Sequence, residues 1–134
     1  MVEDPKARVA AFLQRFGLER NLTLPPLSEE GVGSIQRGSA VVTIHVLAEK
    51  DVLLVLSKVA AAPDLDAAKA KRLLSASFLE TGDAAFALHP QTGDLYLRIF
   101  RGLEGLDYEE FEDIVHSLAR SADHWDDKLA AELA

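Results

Sequence analysis

Hydrophobic and polar positions alternate along the chain in two distinct periods, which predict helices and strands. A first helix is predicted from Asp4, a residue type that caps helices, and Pro5, which suits the first helical position. We expect it to end at Gly17. Its apolar positions repeat at helical spacing and are Val9, Phe12, Leu13 and Phe16. The following segment, 18–27, contains two prolines and is predicted to be an extended connector.

Three strand patterns follow the connector. Residues Gly31–Gln36 form a weak strand pattern, and Ala40–Leu47 and Val52–Val59 are rich in β-branched and apolar residues. Short polar turns separate them, so we expect the last two to pair antiparallel. In the middle strand Val42, Ile44 and Val46 share one face.

A second helix is predicted from Pro63-Asp64 through Glu80, with Asp64 or Asp66 as its cap. Its apolar residues cover more than half of the helical circumference and are Leu65, Leu73, Leu74, Ala76, Phe78 and Leu79. A helix that is apolar on two sides needs two packing partners, and a small domain offers it only one sheet. A second copy of the chain is therefore a candidate for the other partner.

The last part of the chain predicts a β-hairpin and a long helix. Two alternating segments within Ala85–Arg101 flank a turn at Pro90–Gly93. Asp107 and Glu110 then form a capping-box pattern. One face of the helix that they open is apolar, at Phe111, Val115, Leu118, Ala122, Trp125 and Leu129. The order of helix, three strands, helix, two strands and helix indicates an α+β fold with an antiparallel sheet of about five strands, in a single domain over residues 1–134.

Composition narrows the classes of partner. The chain has 22 acidic and 14 basic residues, a formal net charge of −8, so we expect it to repel nucleic acid and anionic membrane surfaces. It contains no cysteine, which excludes disulfides and thiolate sites. Neither a signal pattern in Met1–Lys6 nor an apolar run of membrane-spanning length is present, so we expect a cytoplasmic protein that does not insert into membranes.

The histidines offer little chemistry. His116 and His124 are eight positions apart, too far for one metal ion, and no nucleophile, base and orienting acid can be identified together. We therefore expect no metal, no cofactor and no enzymatic activity. An enzyme or small-ligand carrier that uses His45, His89 or His116 in a pocket remains an alternative.

Apolar surface is the feature with the clearest functional meaning. The stripe of the first helix either packs on the sheet or lines a binding groove, and the sequence leaves both interpretations open. All three helices carry apolar faces, while antiparallel sheets commonly leave one of their two faces to water. We therefore expect some apolar surface to remain available for partners.

Two phrases and their order resemble a known family. Leu73–Phe78 precedes Gly82, the hairpin phrase Leu88–Leu97 follows, and an acidic amphipathic helix with Trp125 ends the chain. The chain thereby resembles the Tir-chaperone family of bacterial type III secretion. The resemblance implies a homodimer without enzymatic activity that binds the N-terminal, non-globular segment of a secreted effector and keeps it competent for export.

By analogy with that family, two sets of residues are assigned to its surfaces. The candidate effector-binding residues are Val9, Phe12, Leu13, Phe16, Val42 and Ile44. The candidate dimer-interface residues are Leu73, Leu74, Ser77, Phe78 and Tyr96. A related dimeric regulatory or sensory domain, which binds a folded protein and has no role in secretion, is the alternative function.

Overall fold

The fold follows the predicted order of elements. The computed structural model describes residues 4–133, so the first part of the N-terminal segment examined for a signal, Met1–Glu3, lies outside the described residues. The described elements are α1 (Pro5–Glu19), β1 (Val32–Arg37), β2 (Ala40–Leu47), β3 (Val52–Ala60), α2 (Ala67–Leu79), β4 (Ala85–Leu88), β5 (Leu95–Gly102) and α3 (Tyr108–Glu132). The α+β class and the strand count are confirmed.

The five strands form one sheet in the order β1-β2-β3-β5-β4. Every neighbouring pair is antiparallel, including the expected pair of β2 and β3. Val55 of β3 lies opposite Ile44 of β2 on one side and Ile99 of β5 on the other, so apolar residues line up across the sheet. Strands β1 and β4 are its two edges.

One face of the sheet, here called the inner face, carries the core. Helix α3 lies against β2, β3 and β5, and α1 packs between α3 and β2. The predicted apolar stripe of α3 is buried along its whole length. Near its end, the Trp125 ring meets the Phe86 ring of β4 edge to face, with centroids 5.0 Å apart. The opposite face, here called the outer face, carries side chains that are half-buried or exposed, such as Thr43, His45 and Phe100.

Helix α1 does not stop at the glycine expected to end it. Gly17 lies inside the helix and is buried; the chain turns only at Asn21, which has φ of 55°. A Cβ on Gly17 would lie 3.0 Å from the carbonyl oxygen of Leu22 and 3.2 Å from Cδ1 of Leu24. Glycine is therefore required by the close approach of the connector rather than by the end of the helix.

Helix α2 begins later than predicted. Asp66 is the cap, because its side chain accepts a hydrogen bond from the Lys69 backbone N–H at 2.8 Å, and the Pro63-Asp64 pair lies in the preceding loop. Of the two candidate caps, Asp64 and Asp66, only Asp66 lies three residues before the Lys69 N–H that needs an acceptor. The predicted cap of α3 is confirmed, since Asp107 accepts from the Glu110 N–H at 2.8 Å.

Candidate functional site

The apolar stripe of α1 faces the core. Val9, Leu13 and Phe16 are at most 1% exposed. Phe12 is half-buried, and its ring lies 6.0 Å from that of Tyr108 and 5.7 Å from that of Phe111, both on α3. Of the two interpretations of this stripe, packing on the chain's own sheet and helix is the one that the structure contains.

The two predicted effector-binding residues of β2 are also in the core. Val42 and Ile44 are fully buried on the inner face, where they pair with Ser57 and Val55 of β3. Five of the six predicted effector-binding residues are thus inaccessible to a partner in this structure, and this placement corrects the expectation of an exposed surface. Alternation identifies the apolar face of a strand, but it does not tell which part of the chain covers that face.

The other side of α1 forms a groove with the connector. This groove, here called the α1 groove, has a volume of about 750 Å³. Leu18, which is 71% exposed, lies at the end of the helix. Small side chains on α1 and apolar side chains on the connector make up most of the lining, which includes Ala7, Ala10, Ala11, Gln14, Leu22 and Leu24.

Strand β1 presents a free edge next to this groove. The carbonyl of Gly31 accepts from the Val46 N–H of β2, so the backbone groups of alternate residues, Val32, Ser34 and Gln36, point away from β2. Ser28 occupies both outward groups of Val32, at 2.9 and 3.0 Å. The outward groups of Ser34 and Gln36 lie on the free edge, in position to pair with an additional strand.

A second exposed apolar surface lies on α2 and β4. It is here called the α2 patch and consists of Leu74, Phe78, Leu79 and Leu88, which are 70%, 91%, 78% and 53% exposed. Leu74 and Phe78 are among the interface candidates predicted from the sequence. Leu79 and Leu88 were not assigned to the interface, although both are apolar residues next to turns.

The other three predicted interface residues have different positions. Leu73 is a buried residue of α2. The Ser77 hydroxyl donates to the Leu73 carbonyl and accepts a hydrogen bond from the Phe86 N–H of β4 at 3.0 Å. Both therefore fasten α2 to β4 within one chain. Tyr96 is half-buried on the outer face, opposite Lys58 and near His89.

The outer face carries a row of apolar side chains around one histidine. Cross-strand pairing places Val32, His45, Leu54 and Phe100 side by side from β1 to β5. Burial among these neighbours lowers the pKa of His45. Phe100 is 46% exposed and has the Arg98 guanidinium 4.6 Å from its ring centre. The outer face is therefore apolar at its centre and basic at one side.

Charged side chains link the helices of the fold. Arg72 pairs with Glu80 at 2.6 Å and with Glu132 at 3.2 Å, which ties α2 to α3. Among residues 4–133, no group of three histidine or acidic side chains is arranged to hold a metal ion. None of the helices in that range is long and apolar enough to cross a membrane.

Comparisons with known proteins give a consistent result. The family model described as "Tir chaperone protein (CesT) family" matches residues 11–126. The structure resembles that of the ExsC-ExsE complex with a TM-score of 0.77 and 26% identity, covering 92% of this chain and 95% of the other. No curated protein sequence matches the chain.

Two further structures share the fold at lower identity. The HopA1-SchA chaperone-effector complex has a TM-score of 0.75 and 13% identity, covering 95% of this chain and 99% of the other. The ExoT-SpcS complex from Pseudomonas aeruginosa has a TM-score of 0.63 and 20% identity, covering 91% of this chain and 98% of the other. Both are similarities of fold alone.

Proposed function

The chain belongs to the Tir chaperone protein (CesT) family, and we propose that it is a homodimeric chaperone of a type III secretion system. In this proposal it works in the cytoplasm as one domain over residues 1–134, without catalysis and without a cofactor. It binds the non-globular N-terminal segment of a secreted effector and keeps that segment competent for export. The family match carries the proposal and favours it over a regulatory domain that binds a folded protein.

The client surface that we propose differs from the one inferred from sequence. Since Val9, Phe16, Val42 and Ile44 form the core, the client binds in the α1 groove and along the β1 edge instead. Leu13 is only 1% exposed but is part of the lining of this groove. Phe12 contributes indirectly, because its half-buried ring supports α1 against α3.

The geometry of the two adjoining features suits an extended chain. Ordering a disordered segment costs several kcal/mol, which must be offset by burial of side chains and by backbone hydrogen bonds. The α1 groove supplies apolar walls, and the outward groups of Ser34 and Gln36 supply strand pairing. The net charge of −8 favours a client segment that is neutral or basic.

The α2 patch is the proposed self-association surface. Leu74, Phe78 and Leu79 project from one short helix, and Leu88 extends the patch onto β4. An isologous contact lets the same residues of two copies cover one another. In this interface Leu73 and Ser77 do not contact the second copy but fix α2 to β4. Tyr96 contacts the second copy if the interface extends from the α2 patch onto the outer face.

A charge placed in the α1 groove tests the client surface. We expect Ala11→Glu to weaken effector binding at least about tenfold, which corresponds to ~1.4 kcal/mol, because the new carboxylate must be buried against apolar client side chains. Ala131→Glu is the matched control, since Ala131 is also an exposed helical alanine but lies on α3.

The assay is co-expression with each exported protein of the source bacterium, followed by size-exclusion chromatography with light scattering and limited proteolysis. The proposal predicts a complex in which the effector's N-terminal segment is protected from protease. If both variants bind equally well, the α1 groove is not the client surface. If the wild-type chain retains none of these exported proteins, the chaperone function itself is rejected.

A further inference from the structure

A polar cluster joins the end of α1 to α3 around the buried ring of Phe16. Arg20 caps α1, and its Nη2 bonds to Oε2 of Glu112 and lies 2.8 Å from Nε2 of His116. Its guanidinium also covers the Phe16 ring, with Cζ 3.9 Å from the ring centre. The His116 ring packs against the same phenylalanine at 5.6 Å.

The contact between Arg20 and His116 fixes the protonation state of the histidine. A guanidinium nitrogen only donates hydrogen bonds, so Nε2 of His116 must accept, and the imidazole must be neutral with its proton on Nδ1. Protonation of Nε2 removes the acceptor and places a second cation 2.8 Å from the guanidinium nitrogen. The contact therefore exists only with the neutral ring.

Charged groups on three elements surround His116. Arg20 at the end of α1, Arg37 at the end of β1 and Arg120 on α3 oppose its protonation, and Glu112 on α3 favours it. Burial and then the positive charges of Arg20 and Arg37 lower the pKa of His116 below its ordinary value of 6.5. The environment as a whole thus favours the neutral form that the geometry requires.

Arg20 lies in the turn between α1 and the connector, and its Nη1 also donates to the Phe16 carbonyl at 3.3 Å. The Arg20 N–H donates to the Gly17 carbonyl at 3.2 Å, and the Leu22 N–H donates to that carbonyl at 2.9 Å. Leu22 and the residues that follow it form the connector wall of the α1 groove. Because Arg20 and Leu22 donate to the same carbonyl, Arg20 belongs to the turn from which this wall of the groove begins.

We propose that Arg20 and His116 form a proton-sensitive latch, in which neutral His116 holds the connector wall of the α1 groove in place and protonated His116 releases it. The latch is a property of the chain alone. Its consequence for client binding, a weaker complex in acid, rests on the proposed function.

The direction of the pH effect follows from the two states. The released turn exposes His116 and restores its ordinary pKa, so the released state binds the proton more tightly than the latched one. The latch is fully stable above pH 6.5 and weakens as the pH falls from there through the lowered pKa. The ratio of released to latched molecules rises about tenfold for each pKa unit that separates the two states.

Two substitutions of His116 separate the latch from general effects of acid. His116→Gln places an amide oxygen near the position of Nε2 and keeps an acceptor that does not titrate. His116→Asn is too short to reach Arg20 and removes the contact at every pH. His124→Gln is the control, because His124 is an exposed histidine on the same helix.

The measurements are the NMR titration of His116 and amide hydrogen-exchange protection factors for residues 18–24 of the chain without client, between pH 7.5 and 5. We expect a lowered pKa for His116 and protection that falls in acid in the wild type and His124→Gln. Protection should be independent of pH in His116→Gln and low at all pH values in His116→Asn. An ordinary pKa, or the same loss of protection in His116→Gln as in the wild type, would overturn the latch.

Once an effector client has been identified, its affinity for the chain is measured separately at pH 7.5 and 5.5. With a working latch, acid weakens binding in the wild type more than in His116→Gln. Equal weakening in both would overturn the link between the latch and the groove. Absence of any client affects only the chaperone proposal, since the titration and the exchange data need no effector.

Discussion

Replacement of Phe78 by alanine distinguishes a free surface from an interface. Phe78 is 91% exposed in the single chain, so its side chain contributes little to the folding of one copy. Substitutions at such positions change the free energy of unfolding of a monomer by about 0.5 kcal/mol or less. A large effect of Phe78→Ala must therefore come from contacts with a second molecule.

The size of that effect follows from burial. Covering a phenylalanine side chain stabilises by about 1.5–3 kcal/mol relative to leaving it in water. A two-fold dimer buries Phe78 twice, so truncation in both copies removes about 3–6 kcal/mol from the dissociation free energy. This corresponds to a rise of roughly 10²- to 10⁴-fold in the dimer Kd.

Sedimentation equilibrium across a range of protein concentrations measures this shift directly. Leu18→Ala is the control, because Leu18 is also an exposed apolar residue but lies near the end of α1, away from the α2 patch. We expect it to leave the dimer intact. A dimer of unchanged affinity in Phe78→Ala, or a wild-type chain that is monomeric at all concentrations, would refute the assignment of the α2 patch to self-association.

Two stability predictions concern single residues of α1 and α3. Gly17→Ala should lower the free energy of unfolding by up to about 2 kcal/mol in urea titrations, because overpacking of about 1–3 kcal/mol against Leu22 and Leu24 exceeds the ~1 kcal/mol gain in helix propensity. Gly102→Ala, where a Cβ meets nothing within 4 Å, is the control, and equal stability of the two variants would contradict this account. Asp107→Ala should lower the free energy of unfolding by about 1 kcal/mol in thermal or urea unfolding, because the first turn of α3 loses its cap. Asp127→Ala is the control, since Asp127 is an exposed aspartate far from that cap. An equal loss of stability in both variants would show that the effect comes from charge alone.

Elements with local signals were predictable from the sequence. The cap at Asp107, the turn before Leu95 and the periodicity of α3 act over a few residues, and each is present in the structure. The end of α1 was predicted wrongly, because glycine can either end a helix or allow another segment to pack closely against it. At Gly17, glycine allows the connector to pack closely against α1. This contact depends on the three-dimensional fold and leaves no pattern in the neighbouring sequence.

The surfaces were less predictable than the elements for a related reason. A hydrophobic stripe shows that a face is buried, but not whether the partner belongs to the same chain. Val9 and Leu13 therefore fitted either a groove or a core, and in the structure they are buried. The exposure of Phe78 could be expected from the sequence, because the apolar residues of α2 exceed what one face of the helix can bury.

The positions of the two surfaces in the sheet make binding and self-association compatible. The α1 groove adjoins β1 and the α2 patch adjoins β4, the opposite edges of a five-stranded sheet. Four inter-strand spacings of about 4.8 Å separate these edges by ~19 Å. In the dimer that we propose, pairing through the α2 patch uses the β4 side of each sheet and places the α1 groove and the β1 edge of each copy on the far side of its own sheet. The proposed dimer then offers an extended client two separate sites.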